Sequence, residues 1–486
     1  MVAGPITIQA LPNEVLLSIF AFHRLLFRTD ICPPSAAWRW HRLAHVCQRW
    51  RRLIFSSLSL LGARLITPRK SPKTTLDSWP AFPLSICHKS NSISPEELVD
   101  LTATLEHSDR IHEIYFHVAF LPSQLYSPSL WKNRLFPELE HLTLVGSRPY
   151  EVPRFPPTFM STSSTTPHGR LRSIVLSNVH LHTLLQILPS SPRLVSLHLG
   201  LYILNGGGFI SPMSLSTALS GSTQLEYLYI ENHPDEPSQA QTIQNLSPRD
   251  RIVFPALAYF RVRCSIRYLE AFVSWIDSPR LEKLIVYFDK HVSDIPQLSY
   301  FISRTEHLSS LPFRTSILLN AGAFSITHCF RNSPSAHEEF RLHFKCTDRD
   351  GWDVLQVERI CAQLCGLMSN IKQLKISAFG LPANLPHKTD PAPWLQLLAP
   401  YNSVEEIELW SKGASGSGIA RALVQSNGKT QEVLPVLRVL ELRHFNSWAS
   451  HLVNEFVAAR LLTGRPIIMR RLKKNDKETD WDMFEK

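Results

Sequence analysis

One six-residue template recurs along most of this chain: an apolar residue, two variable residues, an apolar, one variable, an apolar. It reads Ile111-x-x-Ile114-x-Phe116, Leu139-x-x-Leu142-x-Leu144, Leu171-x-x-Ile174-x-Leu176, Leu194-x-x-Leu197-x-Leu199 and Leu225-x-x-Leu228-x-Ile230. It continues as Leu257-x-x-Phe260-x-Val262, Leu281-x-x-Leu284-x-Val286, Ile371-x-x-Leu374-x-Ile376, Val404-x-x-Ile407-x-Leu409 and Leu437-x-x-Leu440-x-Leu442. The last two apolar positions flank a single residue, the period of a strand with one buried face. Helix-like stretches lie between copies, at 179–188, 214–220, 268–276, 353–368, 394–398 and 419–425. A unit of one short strand and one helix cannot bury its apolar stripe alone, so neighbouring units must stack. The interval from Val286 to Ile371 has room for two further degenerate copies, and His337-Glu338-Glu339-Phe340-Arg341-Leu342 is a candidate for one.

A strand followed by a helix every 20 to 30 residues, roughly, resembles the leucine-rich repeat. The resemblance implies an α/β solenoid, a horseshoe with irregular repeats. It is to a degenerate form, because the family's Asn three positions past the last Leu is absent from every copy. In a strand reading, the residue between the last two apolar positions and the one just after them face outward. Tyr, Trp and Arg dominate binding energy at protein interfaces. Tyr229, Arg261, Arg263, Tyr287 and Trp410 are therefore the candidates for contacting a target protein.

The N-terminus is organised differently. Its first block is Leu11-Pro12-Asn13-Glu14-Val15-Leu16-Leu17-Ser18-Ile19-Phe20. Pro12 precedes good helix formers, where its missing N–H costs nothing. Val15, Leu16, Ile19 and Phe20 fall on one stripe of a 3.6-residue period. Pro33-Pro34 breaks any helix. From Trp38 a second helix is expected, with Leu43, Val46, Cys47, Trp50, Leu53 and Ile54 on one face and Arg39, Arg42, Arg49, Arg51 and Arg52 on the other. Two such helices make a very small core, so a partner is expected to cover part of the apolar surface.

These two blocks resemble the F-box, most closely its fungal form. The resemblance implies docking on the Skp-type adaptor of a cullin–RING ubiquitin ligase, with Leu11, Pro12, Val15, Leu16, Ile19, Val46 and Trp50 forming or supporting the contact surface. The segment between the blocks, 23–37, is longer than in the common F-box. The implied function is that of a substrate-recognition subunit of a Skp–cullin–F-box ligase; the alternative is a repeat scaffold that binds a partner without ubiquitination. The expected domains are an F-box over 1–66, a linker or irregular segment over 67–93, the solenoid over 94–450, and a capping helix with a basic tail over 451–486.

Composition narrows the remaining classes. The 486 residues are 44% apolar and only 19% charged, a globular balance. The net charge of +10 is spread along the chain with no nucleic-acid-binding motif, so no nucleic-acid partner is expected. Eight scattered cysteines without a CxxC read as reduced thiols in a cytoplasmic or nuclear protein. The N-terminus lacks the basic region of a secretory signal, and no apolar run has the length to cross a bilayer. His180 and His182 alternate on a strand, but no carboxylate follows at metal-ligand spacing, and HExxH is absent. No catalytic arrangement, metal or cofactor is expected. The Gly/Ser-rich run from Lys412 to Gly418 reads as a flexible linker. The run Met469-Arg470-Arg471-Leu472-Lys473-Lys474 reads as a solvated tail, or as a nuclear signal. Ser94-Pro95-Glu96-Glu97 reads as a capping box opening a helix to about His107.

Overall fold

The computed structural model of the protein describes residues 8–25, 43–57, 65–67, 83–88, 94–118, 134, 136–146, 170–177, 185, 187–201, 210–232, 251–288, 294–309, 314–319, 323–329, 340–345, 354–364, 371–378, 390–411, 414–426, 432–444 and 447–471. The chain divides into two compact units, Met1–Phe209 and Ile210–Lys486.

The first unit opens with helices α1 (Asn13–Leu25) and α2 (Gln48–Ser56). A mixed α/β region follows, with strands β1 (Leu65–Thr67), β2 (Leu84–His88), β3 (Ile111–Val118), β4 (His141–Gly146), β5 (Ser173–Ser177) and β6 (Ser196–Leu201). These pair in parallel and in chain order. Register follows the template: Ile86, Ile114, Leu142, Ile174 and Leu197 form one row across the sheet, and all are buried. Of the stretch 67–93, expected as a linker or irregular segment, only residues 67 and 83–88 lie among the described residues. Residues 83–88 carry β2, whose Leu84 and Ile86 are fully buried between β1 and β3. Helix α3 (Pro95–Leu105) starts as its sequence requires: Ser94 Oγ accepts from the Glu97 N–H, and the Glu97 carboxylate accepts from the Ser94 N–H. Gly200 lies beside Ser177 in the register, and a Cβ there would meet Ser177 Oγ at 2.7 Å.

In the second unit the strands are β7 (Tyr227–Asn232), β8 (Ile252–Val253), β9 (Tyr259–Arg263), β10 (Ile276–Asp277), β11 (Lys283–Phe288), β12 (Arg314–Leu319) and β13 (Ala323–Cys329). They continue with β14 (Phe340–Lys345), β15 (Gln373–Ala378), β16 (Glu406–Ser411), β17 (Val439–Arg443) and β18 (Ile468–Arg471). Strands β8 and β10 form a small parallel pair. The main sheet runs β7-β9-β11-β14-β13-β12-β15-β16-β17-β18. Every apolar template position in both units is buried, from Ile111 to Leu442.

Helices α4 (Pro212–Leu219), α5 (Ile266–Trp275), α6 (Pro296–Arg304), α7 (Val354–Gln363), α8 (Pro391–Leu398), α9 (Ala414–Ser426) and α10 (Ser447–Leu462) lie between strands. Side-chain oxygens of Ser211, Ser265 and Asp390 cap α4, α5 and α8. Proline occupies the first turn of α4, α6 and α8. Successive helices pack on one another on the core side of the sheet, where Phe272 of α5 meets Phe260 of β9 with ring centroids 5.8 Å apart.

Three expectations for this unit are corrected. The interval between Val286 and Ile371, read as having room for two degenerate copies, holds three strands among its described residues, and the middle one is antiparallel. Strand β14 pairs in parallel with β11, β12 pairs in parallel with β15, and β13 runs against both β12 and β14. The core continues across this reversal through stacked rings, Phe288 on Phe344 at 4.8 Å and Phe344 on Phe324 at 5.1 Å. The Gly/Ser run read as a linker supplies the first turns of α9, where Gly416, Ser417 and Gly418 are buried. Small residues there let the helix sit close to its neighbours, and packing outweighs poor propensity. Third, the run read as a solvated tail begins inside β18, which pairs with β17 through Leu440↔Met469 and Glu441↔Arg470.

A buried arginine fastens this end of the unit. Arg460 of α10 is fully buried. Its guanidinium donates to the carbonyls of Leu434 at 2.6 Å, Pro435 at 3.2 Å and Val433 at 3.4 Å, and pairs with Glu432 at 3.1 Å. Leu434 has φ +54°, the left-handed region that leucine rarely adopts. The guanidinium is what holds that turn in place.

Candidate functional site

The helical pair has an inside and an outside. Leu16, Phe20, Ala44, Trp50 and Ile54 form its core, with Leu11, Leu17, Ala21, Leu43, Cys47, Leu53 and Phe55 packed against them. The Phe20 and Trp50 rings meet edge to face at 4.7 Å. Arg49 locks the Leu-Pro turn: its Nη2 donates to the Leu11 carbonyl at 2.6 Å and to Asn13 Oδ1 at 2.8 Å. Arg51 Nε donates to the Ala44 carbonyl at 3.0 Å, fixing the start of α2. Helix α2 begins at Gln48 with Cys47 as its N-cap; Leu43 and Ala44 are also helical, and Val46 stands in the turn between them and α2. Residues 26–42, including the start expected for this helix, lie outside the described residues.

The seven candidate adaptor residues therefore separate. Leu16 and Trp50 are core, and Leu11 is half-buried. Pro12, Val15, Ile19 and Val46 face outward, with Val15 and Ile19 each 41% exposed and Val46 58%. Phe22, which the sequence analysis passed over, is 61% exposed. It follows Ile19 by three residues and Val15 by seven, so the helical period already placed it on the Val15 and Ile19 stripe. Arg49 was passed over too, since only its contacts reveal that it anchors the turn.

The outward face of the second unit's sheet carries the other candidates in two clusters. In the first, the Arg261 guanidinium lies 5.1 Å from the ring centroids of both Tyr229 and Tyr287. Tyr229 Oη donates to Glu231 Oε2 at 2.8 Å, and Arg263 Nη1 donates to Glu231 Oε1 at 3.3 Å. The Tyr287 and His343 rings are 5.4 Å apart. Four of the five candidates, Tyr229, Arg261, Arg263 and Tyr287, thus form one contiguous group on β7, β9 and β11.

Trp410 belongs to the second cluster, and only 6% of it is exposed. Lys375 Nζ lies 4.1 Å, and Arg443 Cζ 4.4 Å, from its ring centroid. Its indole N–H donates to Glu408. Glu408 also pairs with Arg443 at 2.8 Å, Arg314 at 3.4 Å and Lys375 at 3.8 Å. Beside it is a cavity of about 170 Å³ whose lining includes Arg314, Lys375, Glu408, Glu441 and Arg470. Cations and carboxylates here neutralise one another, and no pair is arranged as a nucleophile with its base.

Among the described residues, no group of three His, Cys, Asp or Glu side chains is placed to hold a metal ion, and no helix is long and apolar enough to cross a membrane. Cys361 is buried beside Tyr401, and burial pushes its pKa up to about 12.

Residues 8–60 match the F-box-like family model. No curated protein matches the chain. The helical pair is an F-box-like domain, joined to a mixed α/β region with a large sheet. F-box domains generally bind Skp-type adaptors, and F-box proteins are typically non-catalytic adaptors.

Proposed function

We infer that this protein is the substrate-recognition subunit of a Skp–cullin–F-box ubiquitin ligase, acting in the cytoplasm or nucleus. The F-box-like domain docks on the adaptor, the adaptor links it to a cullin–RING ligase, and the outward sheet face holds a target protein. The observation that carries this reading is the division of the helical pair. Leu16, Phe20, Trp50 and Ile54 saturate its interior, while Val15, Ile19, Phe22 and Val46 stay exposed. An apolar stripe of this kind marks a protein-binding surface. The strand–helix alternation and the buried template positions support a leucine-rich-repeat-like solenoid, and the Leu11-Pro12 and Val46-Cys47-x-x-Trp50-Arg51 blocks support the fungal type of F-box. The receptor does no covalent chemistry; it raises the effective concentration of target lysines near a charged conjugating enzyme.

The test is capture of a purified Skp-type adaptor by the full chain. Val15→Asp with Ile19→Asp would place two unpaired charges in the contact, and adaptor capture is expected to fall at least about a hundredfold, roughly 2.8 kcal/mol. Undiminished capture by a folded double variant would refute the docking surface.

A further inference from the structure

We propose that the outward face of β7, β9, β11 and β14 is a docking surface for a segment rich in Asp and Glu on the target protein. This deepens the receptor reading and rests on it only for the role of the bound protein; the surface and its charge stand on their own.

The register builds the surface row by row. Tyr227, Tyr259 and Lys283 are laterally aligned; next come Tyr229, Arg261, Ile285 and Arg341; then Glu231, Arg263, Tyr287 and His343. The described charged groups on these rows are four cations, Arg261, Arg263, Lys283 and Arg341, against the single carboxylate of Glu231. The Trp410 cluster on the same sheet is closer to balance: four cations, Arg314, Lys375, Arg443 and Arg470, stand against three carboxylates, Glu406, Glu408 and Glu441. The larger positive excess is on β7 to β14.

Arg261 sets the chemistry. Its guanidinium lies 5.1 Å from the centroids of two tyrosine rings, which restricts its orientation. Its Nε is buried without a hydrogen-bond partner. A planar fork held in this way matches a carboxylate. Tyr227, half exposed and 6.1 Å from the Tyr259 ring, offers an apolar step beside the cations. Four strands at about 4.8 Å spacing span about 14 Å, roughly four residues of extended chain. A short segment alternating acidic with aromatic or aliphatic side chains fits this width. A nucleic-acid backbone fits it less well, because four cations, one of them paired with Glu231, offer few phosphate contacts and the sequence carries no nucleic-acid-binding motif.

The experiment measures fluorescence anisotropy of labelled peptides with the full chain. The probes are a peptide alternating Asp or Glu with Tyr or Leu, its Asn/Gln twin, and a single-stranded oligonucleotide of the same charge. The acidic peptide should bind at least tenfold more tightly than its neutral twin and the oligonucleotide. Arg261→Gln and Arg263→Gln should each weaken it about tenfold, Arg261→Lys less so, and Lys372→Gln, which leaves the surface intact, not at all. Equal binding of acidic and neutral peptides, no binding of either, tighter binding of the oligonucleotide, or full retention by Arg261→Gln and Arg263→Gln would each overturn the proposal. Thermal melts of every variant separate lost contacts from lost fold; Lys283→Gln, at the edge of the surface, replaces any variant that unfolds. Adaptor capture is measured on the same samples. Its loss in the unmodified chain would sink the ligase reading and leave the peptide result standing.

Discussion

The outer surface of the helical pair and the outward face of the second unit's sheet solve opposite problems. On α1, Val15, Ile19 and Phe22 stand in a row, with Val46 exposed in the turn before α2. Ser18, also exposed, is the polar residue beside them on this side of α1. On the sheet, apolar residues are spent in the core, and the outward positions are Tyr, Arg, Lys and Glu that contact one another. The first surface gains free energy chiefly by losing water. The second gains chiefly by meeting complementary charge, which governs specificity and encounter rate more than affinity. One protein can thus hold a constant partner by burial and select a variable partner by charge.

That contrast breaks most visibly if core and docking residues of the helical pair have been confused. Trp50→Ala removes an indole packed on Phe20. It should cost about 3–5 kcal/mol, most of the stability available to a domain this small. Limited proteolysis should then cleave the N-terminal region rapidly. Val46→Asp should leave the cleavage pattern unchanged and still abolish adaptor capture. The reverse pattern would show that Val46 is structural and Trp50 is not.

The next effect lies wholly in the second unit. Arg460→Met strands the carboxylate of Glu432 and the carbonyls of Val433, Leu434 and Pro435. Breaking a buried ion pair in this way costs about 3–5 kcal/mol. The chain's melting temperature should fall while adaptor capture at low temperature stays intact, because the exposed stripe on α1 is untouched. Loss of capture would mean that the two regions are energetically coupled.

Salt sharpens the comparison further. The Debye length shrinks from about 10 Å at 0.1 M to about 3 Å at 1 M. Adaptor capture through Val15, Ile19 and Phe22 should therefore survive a rise in salt. Binding of an acidic peptide at Arg261 and Arg263 should weaken steeply over the same range. Parallel titrations showing equal salt dependence would dissolve the distinction.

These contrasts also show what could be read from the residues alone. The template positions were legible because each marks a buried site, either in a strand or in the turn that leads into it; Leu139 and Leu171 lie in such turns. The start of α3 was legible because Ser94, Pro95 and Glu97 each satisfy a separate requirement of a helix terminus. The reversal through β13 was not, since a period of two reads identically for parallel and antiparallel strands. Asn320-Ala321-Gly322, between β12 and β13, was the available hint, being the kind of sequence a short hairpin loop uses. The start of α9 was hidden because Gly and Ser argue against a helix locally, and only neighbouring helices supply the reason for one. For Trp410, sequence could not show that the charged ends of Lys375 and Arg443 would lie over its ring. On α1 the period found Val15 and Ile19. Which apolar residues were core and which exposed depended on where α2 came to lie.

The smallest effect concerns two thiols and needs no substitution. Cys47 caps α2 and is half-buried, next to exposed Val46; Cys87 is half-buried in β2. Cys361 is fully buried, with its pKa pushed up to about 12, so almost none of it is thiolate at pH 8. Brief alkylation of the native chain, read by peptide mass spectrometry, should label Cys47 and Cys87 and spare Cys361 and the equally buried Cys264. Adding the adaptor should protect Cys47 severalfold while leaving Cys87 unchanged, because only Cys47 adjoins the stripe. Protection of both would indicate a footprint extending over β2, and protection of neither would place the adaptor away from the Val46 turn.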